Sequence, residues 1–209
     1  MKVLELFAGT RSMSRSFEAH GHETFSCEWD ENFENIQYCG DINNLTANYI
    51  LEHFGHPDVI WASPDCTTYS IAAISHHRKK VEGSLEPVSD YAKFCDTTNK
   101  HVLNLIRELN PAYYFIENPR GGLRKMDFMQ DSTRYTVTYC QYGDNRMKPT
   151  DLWTNHPNPD FRPMCHNGDP CHEAAPRGSK TGTQGLKNKK ERSRIPFELC
   201  EHIVSICEQ

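Results

Sequence analysis

A chain of 209 residues is long enough for one domain with a sizeable core and a small insertion. Its net charge of -5 at pH 7 excludes a globally basic nucleic-acid coat, so any contact with a polyanion has to be local. No run resembles a signal peptide or a membrane span, and nine cysteines then read as reduced thiols, metal ligands or a nucleophile in a cytoplasmic monomer.

The first half alternates strand-like and helix-like segments, the pattern of a mostly parallel α/β sheet. "KVLELF" predicts a buried first strand and "AGTRSMS" the turn after it. Met13 and Phe17, four apart, mark the following helix, which Gly21 can end. "HETFSCEW" is a second strand, with Glu28 near its carboxyl end, and "PDVIWAS" and "AYYFIEN" are two more. Between these two, "TTNKHVLNLIRELN" carries apolar residues at 102, 103, 105, 106 and 109, a helical face that Pro111 stops. "RYTVTYCQY" and "TDLWTN" predict a late strand pair joined by a short turn. After Asn155 the chain becomes rich in Pro, Gly, Asn and charge, and an irregular insertion of about 35 residues is expected there. "IPFELCEHIVSIC" closes it as an amphipathic helix with Pro196 in its first turn. The expected organisation is a core over 1–155, an insertion over 156–194, and a packing helix over 195–209.

In such a sheet, ligands bind at the carboxyl ends of strands where the strand order reverses. Gly9, in the first loop, allows close approach to the backbone. Glu28 could accept both hydroxyls of a ribose, Trp29 beside it could lie against a purine, and Asp41 in "CGDI" could accept from an adenine amino group. There is no P-loop and no complete G-x-G-x-x-G, so an adenosine ligand without phosphates fits best. That favours S-adenosylmethionine over a dinucleotide.

"WASPDCTTYS" places Cys66 where a strand should end and a loop begin, and Glu117 in "FIENPRGG" occupies the same place on another strand. If those strands are adjacent, a thiol and a carboxyl group face one pocket. A thiolate is a soft nucleophile, and a carboxyl group can protonate a ring nitrogen. The pair suits addition to C6 of a pyrimidine, which turns C5 into a carbon nucleophile.

With these pieces in order, the chain resembles the DNA (cytosine-5) methyltransferases, a family that uses S-adenosylmethionine on a Rossmann-like methyltransferase fold. "LELFAGT", "CEWD", "GDI", "SPDCTTYS" and "IENPRGG" resemble its successive motifs, across roughly residues 1–155. The resemblance implies Cys66 as the attacking thiol and Glu117 as the group on cytosine N3 and the amino group. It implies Phe7, Gly9, Glu28, Trp29, Asp41 and Ile42 around the cofactor, with Ala8, Thr10, Arg11 and Pro64 in the same loops, and Asn118 and Arg120 beside the substrate. It also implies a target base flipped from duplex DNA. Three departures stand out. Arg11 replaces a glycine, Asp65-Cys66 replaces a Pro-Cys pair, and in "YGDNRMKPTD" the family's second arginine falls on Thr150, which leaves Arg146 and Lys148 as nearby cations. This variant pattern is similar to the compact methyltransferases of phages and prophages, which would work in a bacterial cytoplasm.

From Arg177 to Arg194 seven Lys or Arg stand against one acid, a candidate phosphate-contacting tract that includes Lys180. A second basic patch, "SHHRKK" at 75–80 with Arg78, is expected to grip the backbone beside a flipped base. "CHNGDPCH" offers metal ligands. Cys165, Cys171 and His172, with His156 as a fourth in place of His166, would staple the insertion with zinc.

Two other functions remain open at this point. RNA cytosine could be the substrate, since one thiol and one glutamate do not distinguish the polymers. A non-catalytic nucleic-acid-binding module could keep the fold. Amino-group methylation fits less well, because those enzymes favour an aromatic residue at the position of Cys66. Arg11 is expected to pair with an acid such as Glu31 or with the methionine carboxylate of the donor. A sharper alternative has it read a carboxylated donor, giving carboxymethylcytosine.

Overall fold

The computed structural model describes residues 1–174 and 188–209. In chain order the strands and α-helices are β1 (Lys2–Leu6), α1 (Ser12–Ala19), β2 (Glu23–Glu28), β3 (Tyr38–Cys39), α2 (Ala47–His53), β4 (Val59–Ala62), α3 (Ile74–His77), β5 (Arg78–Val81), β6 (Ser84–Pro87), α4 (Asp90–Leu109), β7 (Tyr113–Pro119), β8 (Arg134–Thr138), β9 (Pro149–Thr154), α5 (Lys189–Ser193) and α6 (Phe197–Cys207). Seven strands form one sheet in the order β3-β2-β1-β4-β7-β9-β8, and β5 and β6 make a separate hairpin. Strands β3, β2, β1, β4 and β7 run parallel, whereas β9 is antiparallel to both β7 and β8. This is the Rossmann-like methyltransferase architecture, with its late antiparallel strands.

Alternation along the strands builds two cores, because successive side chains point to opposite faces. Leu4, Leu6, Ile60, Ala62 and Ile116 pack on α2 and α4 with Ile50, Val102, Leu105 and Ile106. Val3, Val59, Trp61 and Phe115 pack on the other face, with Met13 and Phe17 of α1 and Leu199, Ile203 and Val204 of α6. Both faces are covered, which is why these strands read as continuous apolar runs. Strand order reverses between β1 and β4, so the carboxyl ends of these strands open a crevice on the α4 side.

Three elements differ from expectation. Helix α4 begins at Asp90, where Ser89 caps it by accepting from the Ala92 N–H, so the predicted segment, from Thr97, lacks its first two turns. The predicted strand "RYTVTYCQY" ends at Thr138, where Tyr139–Tyr142 turn into a 3-10 helix closed by Gly143 in the left-handed region. The hairpin β5–β6 was not expected. Glu82 and Gly83, both at positive φ, make the tight turn that joins its strands. No helix among the described residues is long and apolar enough to cross a membrane.

Candidate active site

The crevice holds a cavity of about 360 Å³ lined by Phe7, Trp29, Asp41, Ile42, Pro64 and Asp65 from strand ends, and by residues of α4. Five of these lie among the positions expected to meet the cofactor. Trp29 presents an open ring, being 64% exposed. Asp41 uses one carboxylate oxygen, Oδ1, to accept from the backbone and side chain of Asn43. Sequence reasoning missed the wall from α4, where Tyr91, Phe94, Cys95, Thr98 and Asn99 face the cavity. The signal was present: Tyr91 and Phe94 stand three apart as exposed aromatics in the first turns of a helix.

Glu28 is buried and holds the loop after β1. Its Oε2 accepts from Gly9 N–H at 2.9 Å, and its Oε1 accepts from the N–H groups of Trp29 and Asp30 at 2.9 and 3.2 Å. A carboxylate offers about four acceptor positions, so one remains, where both hydroxyls of a ribose would need two; neither Glu28 nor Gly9 lines the cavity. Ala8 is buried, Thr10 bonds Ser12, and neither lines the cavity.

Arg11 pairs with an acid, as expected, but with Glu18. The Arg11 backbone has φ 56, the left-handed conformation in which glycine is the easy residue and an L-residue pays roughly 1–2 kcal/mol. The turn is thus kept without the glycine. The side chain is buried on the α1 face of the sheet, away from the cavity. There it donates to Ser26 Oγ at 3.0 Å and Thr24 Oγ1 at 3.3 Å, and pairs with Glu18. The expected acid partner is thus Glu18 where Glu31 was named, and with the guanidinium committed there the ground for a carboxylated donor falls away.

Cys66 follows β4 and leads into a 3-10 turn over Thr67–Tyr69. A buried network fixes that turn. The Tyr69 hydroxyl donates to Asp96 Oδ1 at 2.7 Å, and Arg78 stacks on the Tyr69 ring at 4.1 Å while donating to Asp96 and to the Thr68 carbonyl and hydroxyl. Arg78 is therefore a pillar under the loop that carries Cys66. It was expected on the DNA, but its side chain is fully buried and its donors are committed. Of the same basic patch, Lys79 and Lys80 are exposed.

Glu117 and Asn118 lie buried near the carboxyl end of β7, and β7 neighbours β4, so the thiol and the carboxyl group share one site. Asn118 Nδ2 donates to the Pro64 carbonyl at 2.9 Å, and Gly122 N–H donates to the Tyr69 carbonyl at 2.7 Å. These bonds clamp the thiol loop to the end of β7. A Cβ on Gly121 would lie 2.5 Å from the Tyr69 carbonyl oxygen, so the clamp needs glycine there. Glu117 is buried and accepts from the Tyr139 hydroxyl at 2.9 Å. Asn118 Oδ1 is buried without a partner, an acceptor awaiting a donor.

Burial pushes the Cys66 thiol up to about 11, with the charges of Asp65 and Glu117 adding to the rise and Lys148 opposing it. Lys148 is thus the cation whose field reaches the thiol; its ammonium also lies 4.5 Å from the Tyr139 ring centre. Arg146 is paired with Asp144, which leaves Lys148 to face the site. Arg120 is exposed at the rim, and Lys180 lies outside the described residues.

The metal ligands need one correction. Cys165, Cys171 and His172 do gather, but the fourth member is Cys140. His156 is buried elsewhere, with Nε2 on the Ile206 carbonyl at 3.0 Å and its ring against Tyr113. His166 is turned toward Asp169. Cys140 was hidden because it sits in what reads as a strand.

Residues 1–134 match the family described as C-5 cytosine-specific DNA methylase, well over half of the chain. The chain belongs to the C-5 cytosine-specific DNA methylase family. Its reaction is methyl transfer to carbon 5 of cytosine in DNA, and S-adenosylmethionine is the cofactor of methyltransferases of this family. A relative from Frog virus 3 (isolate Goorha), a probable DNA (cytosine-5)-methyltransferase, is 25% identical over 234 residues, covering 99% of this chain and all of the relative. Among solved structures, a Spodoptera frugiperda DNMT2 mutant shares the fold at a TM-score of 0.50 and 16% identity, over 79% of this chain and 53% of that one. The S. pombe Dnmt2 methyltransferase gives 0.48 at 14% identity, over 74% and 48%. The chain thus spans about half the length of these two structures.

Proposed function

We propose that this cytosine-5 methyltransferase works through Cys66 as nucleophile and Glu117 as acid, on a cytosine flipped from double-stranded DNA. The observation that carries the reading is the clamp that joins the two groups: Asn118 to Pro64 and Gly122 to Tyr69 hold the thiol loop against the strand that bears Glu117. In the free enzyme the raised thiol is protonated at neutral pH. Its proton has to leave before attack, and Asp65 and Glu117 are carboxyl groups whose charges reach it. Glu117, on receiving it, becomes the acid that cytosine N3 needs. The thiolate then forms a bond to C6, N3 takes the proton, and C5 gains carbanion character. S-adenosylmethionine, when bound, supplies the electrophilic methyl group for C5. Loss of the C5 proton to water, return of the N3 proton to Glu117 and expulsion of the thiolate restore the ring.

Phe7, Trp29, Asp41, Ile42 and Pro64 are the residues proposed to hold the adenosine part of the cofactor, with Tyr91 and Phe94 adding aromatic surface. Asp41 Oδ2 suits an adenine amino group, and Glu28 keeps one acceptor for a ribose hydroxyl. Asn118 Oδ1 suits the amino group of the target base, and Lys148 assists the thiolate in place of the displaced arginine. Arg120 and the basic tract around residues 177–194 are proposed to meet phosphates. The same proposal includes a monomer acting in the cytoplasm, and a structural zinc ion in the insertion.

Bisulfite sequencing of DNA from an expressing host, with mass spectrometry of its nucleosides, tests the reading. It predicts 5-methylcytosine that vanishes in the Cys66→Ser variant. Modified cytosine confined to RNA would replace the DNA substrate, and none in either polymer would favour a binding module.

A further inference from the structure

Four soft donors meet beside the turn that follows β8. Cys140, Cys165, Cys171 and His172 each offer one ligand atom, and these atoms lie within 4.8 Å of one another. Cys171 Sγ is 3.7 Å from Cys140 Sγ, and His172 Nδ1 is 3.7 Å from both Cys165 Sγ and Cys171 Sγ. For Zn–S of about 2.3 Å and Zn–N of about 2.05 Å, a tetrahedron has edges of roughly 3.8 Å between sulfurs and roughly 3.5 Å from sulfur to nitrogen. Three measured edges fit these values. Cys140 and Cys165 are closer, at 3.0 Å, so that pair has to open by about 0.8 Å to reach the sulfur–sulfur edge, and the two remaining edges are within 4.8 Å.

We propose that Cys140, Cys165, Cys171 and His172 form a structural zinc centre that clamps the insertion to the catalytic core. This deepens the reading of a zinc-stapled insertion, because one ligand comes from the core itself. Three thiols and a single imidazole, with no carboxylate in the set, suit zinc over calcium or magnesium. Four protein ligands leave no open position, as in a structural and unlike a catalytic site. On binding, the three thiols lose their protons to solvent and the imidazole stays neutral. The surroundings orient the donors: Gln141 Nε2 donates to Cys171 Sγ at 3.4 Å, and Thr138 Oγ1 accepts from the Cys165 N–H at 3.0 Å. Glu173 N–H donates to the Asn145 carbonyl at 2.9 Å, so the insertion already lies along residues 138–145.

The core side of the clamp gives it a second consequence, which rests on the methyltransferase reading. Cys140 directly follows Tyr139, and the Tyr139 hydroxyl holds Glu117. The metal therefore steadies the turn that positions the carboxyl group.

Metal analysis of the full chain, purified reduced from zinc-supplied cells, tests the centre. About one zinc per chain is expected. Cobalt exchanged into it should give the thiolate charge-transfer absorption of a tetrahedral sulfur-rich site. Cys140→Ser and His172→Ala should each weaken metal binding by at least about a hundredfold, whereas His156→Ala should keep it. Wild-type protein with substoichiometric metal, or Cys140→Ser with unchanged zinc, would overturn the proposal, and neither result depends on whether the chain methylates DNA. Zinc removal should leave S-adenosylmethionine affinity within about twofold, because the cavity is lined by other elements, while turnover falls. Unaltered turnover in zinc-free protein would overturn the link to Glu117 and leave the metal site standing.

Discussion

The thiol wall and the carboxylate wall of the site are held by different means. Cys66 sits on a loop pinned from beneath by Arg78, Asp96 and Tyr69, all inside the core. Glu117 sits on a central strand, but its hydrogen-bond donor Tyr139 belongs to a turn beyond the sheet, next to the cysteine–histidine cluster. One wall depends on a buried ion pair and the other on a peripheral turn. The proposed nucleophile is thereby built into the fold, whereas the proposed acid is held from the side where the insertion packs.

The strongest way to break this contrast is to remove the chemistry on each wall. Cys66→Ser should lower kcat by roughly a thousandfold or more, because an alcohol is a far weaker nucleophile, with cofactor affinity unchanged. Glu117→Gln should cost roughly 10²- to 10³-fold, because an amide cannot protonate N3. Single-turnover methyl transfer measures both, and near-wild-type rates would remove the proposed roles.

Arg78→Ala sharpens the comparison through stability. Deleting one partner of a buried pair leaves Asp96 uncompensated, and a loss of about 3–5 kcal/mol is expected. Tyr139→Phe removes one bond to a carboxyl group and should cost about 1.5–3 kcal/mol of that interaction, read mainly as a lower kcat. Urea denaturation combined with kinetics separates the two. If Arg78→Ala proves as stable as wild type, the loop is not held from beneath.

The smallest effect concerns Asp65. Its negative charge disfavours the thiolate, so Asp65→Asn should lower the Cys66 pKa from about 11 toward the ordinary thiol value. The carboxylate is exposed and screened, which limits the shift to about one pH unit or less. The amide still accepts from the Thr67 N–H, so the turn should survive. Alkylation of Cys66, followed by mass mapping against pH, should therefore begin at lower pH in the variant. A rise at higher pH would reverse the sign assigned to Asp65.

Much of this was legible in sequence because central parallel strands announce themselves as apolar runs, and the ligand-bearing residues sit at their ends. Trp29 and Asp41 were placed by that rule, as were Cys66 and Glu117, whereas Phe7, Ile42 and Pro64 came from the family resemblance. What stayed hidden depends on contacts between distant segments. Arg78 looked like a surface cation because nothing local marks Asp96 and Tyr69 as its partners. Cys140 looked like a strand residue because the turn at Tyr139 is imposed by burial of Tyr139 and Tyr142, not by a turn signature before Gly143. Arg11 occupied a glycine position, and only its left-handed backbone and the reach to Glu18 show how that is tolerated.

The measurement that bears most directly on the two-walled site is a covalent trap. A DNA duplex with 5-fluorocytosine at the target position cannot lose fluorine as a proton is lost, so the enzyme is held after methyl transfer. With S-adenosylmethionine present, tandem mass spectrometry should find the adduct on Cys66, abolished in Cys66→Ser and strongly slowed in Glu117→Gln. An adduct on another residue, or efficient methyl transfer to ordinary duplex with no adduct on the fluorinated one, would contradict the account.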